Sequence, residues 1–385
     1  MNVPGLSGIH LTYCLNVHPG STLAEAETAI FEHAPRVFAE FDSLSGAAPR
    51  HAPGIWFSAE AARELEAPGR LDAFAARLAD AGFYAFTFNG FPYGRFHGTR
   101  VKEAVYRPDW ADPARPDYTL RLARILARLL PEGVEGTIST LPVTFAPWAN
   151  EATLETSTRH LADVAAALAR LEAETGRALA IALEPEPGCF LERTSDVVAF
   201  FAHDLLPDRD EDLLRRHIGV CLDTTHTGVM GEDPTDAVAH LHGAGIRLLK
   251  VQLGAALAVE VGPEGPPDAL RAFSDDVYLH QVTVGGGPTL FFTDLPQALA
   301  HRPVAEGPWR VHFHVPLAWP GEGPIGTTSG QVTEEFFAAA LAAGCRHFES
   351  EIYTLDVFPA AQDSTAAILA RDLAWILKRL LAARP

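Results

Sequence analysis

The chain has 385 residues, 48% of them hydrophobic and 21% charged, enough to bury a large core. Its 49 acidic against 30 basic residues give a formal charge of −19, a surface that repels nucleic acid and anionic membrane but leaves room for a locally basic pocket. No run of about 18 apolar residues occurs, so no membrane insertion is expected. The stretch 1–20 lacks a basic n-region and is broken by polar residues, so it does not read as a signal peptide. Cys14, Cys189, Cys221 and Cys345 are scattered with no C-x-x-C, the usage of reduced thiols in a cytoplasmic protein.

In chain order, short apolar, β-branched or aromatic runs alternate with helical patterns. The candidate strands are 9–15, 54–57, 83–88, 136–141, 178–184, 218–223, 247–253, 311–315 and 346–352. In 117–130, Leu122, Ile125, Leu126 and Leu129 make a helical stripe with Asp117 in a capping place. The helical pattern 150–175 has Asn150 at its start and Gly176 just past its end. The last helix puts Leu369, Leu373, Ile376, Leu377 and Leu380 on one face. Residues 258–310 break the rhythm: they are rich in Pro and Gly, and Val277–Val284 and Thr289–Phe292 flank Gly285-Gly286-Gly287. That stretch reads as a β-hairpin insertion on a loop.

Repeated strand–helix units predict an α/β protein, a single (β/α)8 TIM-barrel domain over 1–385. Nine candidate strands are one too many for it. Either 54–57 or 247–253 is misassigned, or one strand lies outside the barrel.

Four of the apolar runs end in residues of metal-ligand type. They stop at Glu184 and Glu186, at Asp223-x-x-His226, at His312 and His314, and at Glu349 and Glu351. A barrel keeps its chemistry at the C-terminal ends of its strands. Glu, Asp, His and Glu brought to one rim suit a divalent cation such as Mn, Mg, Zn or Co. Residues two apart share a strand face, so His312 and His314 are alternatives or neighbours, as are Glu349 and Glu351. The member nearer the strand end reaches the rim, which favours His314 and Glu351. Pro185 and Pro187 end their strand at Glu184, which favours Glu184. The expected ligands are Glu184, Asp223, His314 and Glu351. His226 is either a ligand or a donor to a substrate oxygen. Gln252, at the end of 247–253, is a further ligand or substrate donor.

The early loops place His18, Asn89, Tyr93, His97 and Lys102 at the same rim. Aromatics mixed with donors suit a small polyol or ring-bearing ligand. The loops 89–110 and 316–330, with the insertion, are expected to roof it, using Phe91, Tyr93, Phe96 and Trp319. Gly321-x-Gly323-x-x-Gly326 matches a dinucleotide fingerprint in letters only, because Pro324 and further loop residues precede the next helix, near Thr333.

The order Glu184, Asp223-x-x-His226, His314, Glu351 resembles the xylose-isomerase-like TIM barrels, which include sugar isomerases, sugar epimerases and metal-dependent apurinic endonucleases. More narrowly, the runs 11–20 (LTYCLNVHPG), 89–94 (NGFPYG) and 96–98 (FHG), with Glu349-x-Glu351-x-Tyr353-Thr354, resemble the metabolite-traffic protein EboE family. That family is tied to the handling of secondary-metabolite precursors. The wider superfamily usually carries His near the end of the seventh strand. If 247–253 is that strand, Gln252 stands there, and His314 comes from an additional strand.

The resemblance implies a metal-dependent isomerase or epimerase of a small polyol-like sugar or sugar phosphate. In this reading Glu184 and Glu351 act as base and acid, and His226 and Lys102 neutralise charge on oxygen. Two rivals stand beside it: a metabolite carrier without turnover, and a phosphoester hydrolase of the apurinic-endonuclease type. The expected partner is a small-molecule metabolite rather than nucleic acid, and a homo-oligomer is compatible with the sequence.

Overall fold

The structure, a computed structural model, describes residues 1–46, 49–285, 290–359 and 363–383. Eight strands form one parallel sheet: β1 (His10–Tyr13), β2 (Ile55–Trp56), β3 (Thr87–Asn89), β4 (Gly136–Thr140), β5 (Leu179–Leu183), β6 (Ile218–Asp223), β7 (Leu248–Leu253) and, after an insertion, β13 (His347–Ser350). Their order is β1-β13-β7-β6-β5-β4-β3-β2. The sheet closes into a (β/α)8 barrel where Cys14 bridges Gly54 in parallel, with Leu15 N donating to Gly54 O at 2.8 Å and Gly54 N to Tyr13 O at 3.1 Å. A Cβ at Gly54 would lie 2.6 Å from the Tyr13 carbonyl oxygen, so only glycine lets the first and second strands meet. Every residue of these strands is buried, which is why each reads as an apolar run rather than an alternating one.

The helices outside the barrel follow their sequence signals, with one correction. The helix Glu151–Thr175 starts where the Asn150 side chain accepts from Thr153 N, and stops at Gly176 with φ of 68°. The last helix, Thr365–Ala382, buries the expected leucine and isoleucine face. The helix Ala114–Leu129 begins earlier than expected, with Pro113 at its cap, so Asp117 sits in the first turn instead of capping it.

The ninth strand lies outside the barrel. Gly254 separates β7 from β8 (Ala255–Val261), which starts a second sheet with β9 (Val282–Val284), β10 (Leu290–Phe292), β11 (Gly307–Val315) and β12 (Gly326–Thr327). This sheet is antiparallel, in the order β10-β9-β11-β8-β12. The expected hairpin is present as β9 and β10, paired Val284↔Leu290, although Gly286 and Gly287 fall outside the described residues. The insertion is nonetheless larger than a hairpin on 258–310, because β8 and β11 pair from Gly307↔Val261 to Val311↔Leu257 and hold the hairpin on their edge. Alternation along β11 puts Val311, Phe313 and Val315 on one face and His312 and His314 on the other. The register with β8 shifts between Val311 and Val315, the span that holds both histidines.

The Gly321–Gly326 segment leads into β12, not directly into a helix; the next helix, Glu334–Ala342, is capped by Thr333. Among the described residues no helix is long and apolar enough to cross a membrane.

Candidate metal centre and cleft

Asp223 ends β6 and caps the helix Thr224–Met230. Its Oδ1 accepts from Thr225 N at 2.6 Å and His226 N at 3.2 Å, while Oδ2 is buried with no hydrogen-bond partner. The capped turn swings His226 over the end of β5. Its Nδ1 lies 2.8 Å from Pro185 O, and its Nε2 approaches Glu186 Oε2 at 3.1 Å without the alignment of a hydrogen bond. Glu184 directly follows β5, and its Oε2 is likewise buried and unpartnered. Glu186 accepts from the Tyr106 hydroxyl at 2.9 Å.

Glu351 follows β13, and its Oε1 accepts from Asn16 Nδ2 at 2.8 Å and Asn89 Nδ2 at 2.9 Å. From the second sheet, His314 Nδ1 lies 3.1 Å from Glu351 O and its Nε2 lies 2.9 Å from His312 Nε2.

Three groups among these residues have ligand atoms within 4.8 Å of one another: Glu184–Asp223–His226, Asp223–His314–Glu351 and His226–His312–His314. The four expected ligands thus fall into two groups that share Asp223. A buried carboxylate oxygen without a partner is costly, so the unpaired Glu184 Oε2 and Asp223 Oδ2 fit a bound cation.

Electrostatics follow from the crowding of carboxylates in a dry place. Burial raises Glu184 well above the ordinary carboxylate range, and Asp223 and Glu186 add to the rise. Glu351 is raised by burial and then by Glu184 and Asp223, and Glu186 is raised by burial. For Asp223 burial works in the same direction, but His226 and His314 outweigh it and bring the group below its usual value. Burial opposes charge on His226, yet Asp223, Glu186 and Glu184 carry it up to about 9. Burial lowers His314 to about 4 and takes His312 well below its normal range.

Glu184, Glu186, His226, His312 and Glu351 floor a cleft, which Asp223 and His314 do not line. Its opposite wall is apolar. Phe96 packs at 5.2 Å from Tyr353 and 5.3 Å from Tyr278, ring centre to ring centre, with Phe91 and Leu279 beside them. The wall comes from the loop after β3, from the insertion and, through Tyr353, from the loop after β13. The loop 316–330 contributes nothing to the lining; its Trp319 packs against Phe358 instead.

Of the early-loop residues, Asn89 lines the cleft and steadies Glu351. Lys102 also lines it, but its Nζ donates to Asp275 O at 3.0 Å, Tyr278 O at 2.6 Å and Asp294 Oδ2 at 2.7 Å, so the ammonium straps the loop to the insertion. His97 stands behind the wall, 2.5 Å from Asn16 O and 3.0 Å from the Tyr278 hydroxyl. His18 stacks on His33 and Tyr93 packs on Tyr118, and neither lines the cleft. Gln252 points into the barrel interior, where it accepts from Cys221 Sγ at 3.1 Å.

Asn16, Tyr106, Tyr278 and Tyr353 line the cleft without having been singled out, and Glu186 and His312, the members of their pairs that were not favoured, line it as well. The i, i+2 spacing was the available signal for Glu186 and His312, and Asn16 and Tyr353 lay inside the unusual motif runs. Nothing local marked Tyr106 or Tyr278.

No protein-family model and no curated protein matches the sequence. Among solved structures, the IOLI protein with a bound zinc atom aligns at 12% identity over 98% of this chain and 99% of that one, with a TM-score of 0.50. A D-tagatose 3-epimerase-like protein aligns at 12% identity over 97% of both chains, with a TM-score of 0.49. A xylose isomerase domain protein from Alicyclobacillus acidocaldarius subsp. acidocaldarius aligns at 14% over 97% and 98%, again with a TM-score of 0.49. At such identity the likeness is one of fold: the chain is an α/β TIM barrel.

Proposed function

We propose that this chain is a metal-dependent isomerase or epimerase acting on a small polyol-like metabolite, of the EboE kind concerned with secondary-metabolite precursors. The observation that carries the reading is a pair of buried carboxyls, Glu184 and Glu351. They reach one cleft from β5 and β13 with β6 and β7 between them. Moving a proton off a carbon and returning it to the opposite face, or to the neighbouring carbon, needs one group to take it and one to return it.

A divalent ion held by Glu184, Asp223, His314 and Glu351 would polarise adjacent hydroxyl and carbonyl oxygens and offset the charge that develops on them. Asn16 and Asn89 orient Glu351 by their two amide donors. His226, charged at neutral pH, faces Glu186 and the cleft and donates to a substrate oxygen. The ring wall of Phe96, Tyr278 and Tyr353 keeps water from the reacting carbon. Besides His226, which is turned toward Glu186, the only cation among the described lining residues is Lys102, whose three donors are committed. A neutral polyol therefore fits this floor of carboxylates better than its phosphate ester does.

The test is solvent exchange. The metal-loaded protein, incubated in D2O with neutral ketoses and cyclic polyol ketones, is expected to exchange one carbon-bound hydrogen, read by NMR. Glu184→Gln is expected to abolish exchange while binding persists. Tight binding with no exchange in the wild type would support the carrier instead. Cleavage of phosphodiesters would support the hydrolase.

A further inference from the structure

His312 and His314 are buried, with 2% and 0% of their surfaces exposed, and their Nε2 atoms lie 2.9 Å apart. Their other nitrogens decide what those atoms carry. His314 Nδ1 lies 3.1 Å from the Glu351 carbonyl oxygen, which can only accept, so the proton of a neutral ring sits on Nδ1. His312 Nδ1 lies 2.6 Å from Gln281 Oε1. The Gln281 amide cannot be reversed, because its Nε2 donates to Pro187 O at 2.9 Å and to the Tyr106 hydroxyl at 2.9 Å. His312 therefore carries its proton on Nδ1 as well. Two lone pairs then face each other across 2.9 Å in a dry place, an arrangement that repels unless something positive lies between them.

We infer that His312 binds the cation of this cleft together with His314, each through Nε2, so that the site is nitrogen-rich and selects a borderline transition ion of the zinc or cobalt type over magnesium or manganese. This rests on the reading that the cleft holds a metal. It adds a ligand and a class of ion to that reading. A histidine that ligates metal usually donates its second ring N–H to a carbonyl, carboxylate or water, as both rings do here. A nitrogen ligand sits about 2.0–2.1 Å from zinc, so an ion bound to one of two nitrogens 2.9 Å apart is within reach of the other. His226, His312 and His314 have ligand atoms within 4.8 Å of one another, and His314 also belongs to a group with Asp223 and Glu351, which bring oxygen. Imidazole favours zinc, copper, iron and nickel, whereas all-oxygen sites favour magnesium, calcium and manganese. His226, whose Nε2 approaches Glu186 Oε2 at 3.1 Å, is the third member of the imidazole group.

The experiment titrates the full metal-free chain separately with Zn(II), Co(II), Mg(II) and Mn(II) and confirms stoichiometry by elemental analysis. Zinc and cobalt are expected to bind at least about 100-fold tighter than magnesium or manganese. His312→Ala is expected to weaken zinc about tenfold or more, to change the visible spectrum of the cobalt form, and to leave the weak magnesium binding unmoved. Circular dichroism checks that the variant folds. Gln281→Leu, which removes only the partner of His312 Nδ1, provides a second variant with a smaller loss in the same direction. Zinc binding unchanged in both variants overturns the inference and assigns the short contact to a shared proton. Magnesium or manganese binding as tightly as zinc also overturns it, while leaving a metal-dependent isomerase standing. No binding of any ion removes both.

Discussion

The barrel and the inserted sheet build the cleft in different ways. The barrel delivers carboxylates: Glu184, Asp223 and Glu351 stand at or just past the ends of β5, β6 and β13, where backbone pairing on both sides fixes their positions. The insertion delivers imidazoles and part of the wall: His312 and His314 from β11, Tyr278 and Leu279 from the approach to β9. The barrel's own seventh strand offers Gln252, whose Oε1 accepts from Cys221 Sγ inside the barrel. The difference teaches that an α/β barrel need not draw every ligand from its own rim. A sheet grown between its seventh and eighth strands brings nitrogen donors over the rim and closes the site at once.

The comparison is tested most severely inside the barrel. Lys250 Nζ and Glu349 Oε2 form an ion pair at 2.5 Å, both fully buried, beneath the rim. Lys250→Met leaves the Glu349 carboxylate without its partner and is expected to cost about 3–5 kcal/mol by chemical denaturation. The double variant Lys250→Met, Glu349→Leu removes both charges and is expected to recover most of that loss. If the single variant is as stable as the wild type, the barrel interior is not the rigid platform the carboxylates need.

The junction between the two regions comes next. Asp372, buried on the last helix, accepts from Ser350 Oγ of β13 at 2.7 Å and from Ala318 N, just past β11, at 3.1 Å. Burial raises its carboxyl from 3.8 to about 6. The folded state therefore holds the proton more tightly than the unfolded chain. The stability this supplies is complete below about pH 4 and is lost as pH rises through about 6. Asp372→Asn keeps a carbonyl acceptor for Ala318 and cannot ionise. Relative to wild type it is expected to gain up to about 3 kcal/mol between pH 4 and 7.5, at about 1.4 kcal/mol per pKa unit. A pH-independent difference between the two proteins would refute the assignment.

A smaller effect is expected where the insertion is strapped down. Lys102→Met removes the contact to Asp294, 2.7 Å away and largely buried, and is expected to cost about 1–3 kcal/mol. Faster hydrogen exchange should be confined to 275–294 and the loop after β3, with the barrel strands unaffected. Exchange that spreads through β4 to β6 would mean that the two regions do not open separately.

Most of the barrel was legible because its strands are buried on both faces and flanked by capped helices such as Glu151–Thr175. The ninth strand was legible as a strand but not as a member of either sheet, because period-two alternation sets faces and says nothing about neighbours. At the site, Asp223 and Glu351 stood out as polar residues ending apolar runs. Pro185 lies past the end of β5, and no local pattern shows that Tyr106 and His226 meet Glu186 in the cleft. His312 was set aside for His314 on the rule that the residue nearer the strand end reaches the rim, and that rule does not apply to a strand outside the barrel. Lys102 and Gln252 have partners far away in sequence, Asp294 and Cys221, which no local pattern reveals.

The smallest change in stability carries the sharpest distinction. Asp223 has two duties on separate oxygens: Oδ1 caps the helix Thr224–Met230, and Oδ2 is left for a cation. Asp223→Ala removes both and is expected to cost about 1 kcal/mol for the lost cap, together with most of the bound metal. Asp223→Asn keeps an acceptor for Thr225 N and His226 N, so the cap survives while the charge is lost. It should match the wild type in stability and Asp223→Ala in metal content. His226→Ala, which alters neither oxygen, is expected to retain more metal than either. Elemental analysis beside denaturation curves reads both duties at once. Equal metal loss in His226→Ala and Asp223→Ala would make His226 a ligand and move the nitrogen donors of the site back toward the barrel.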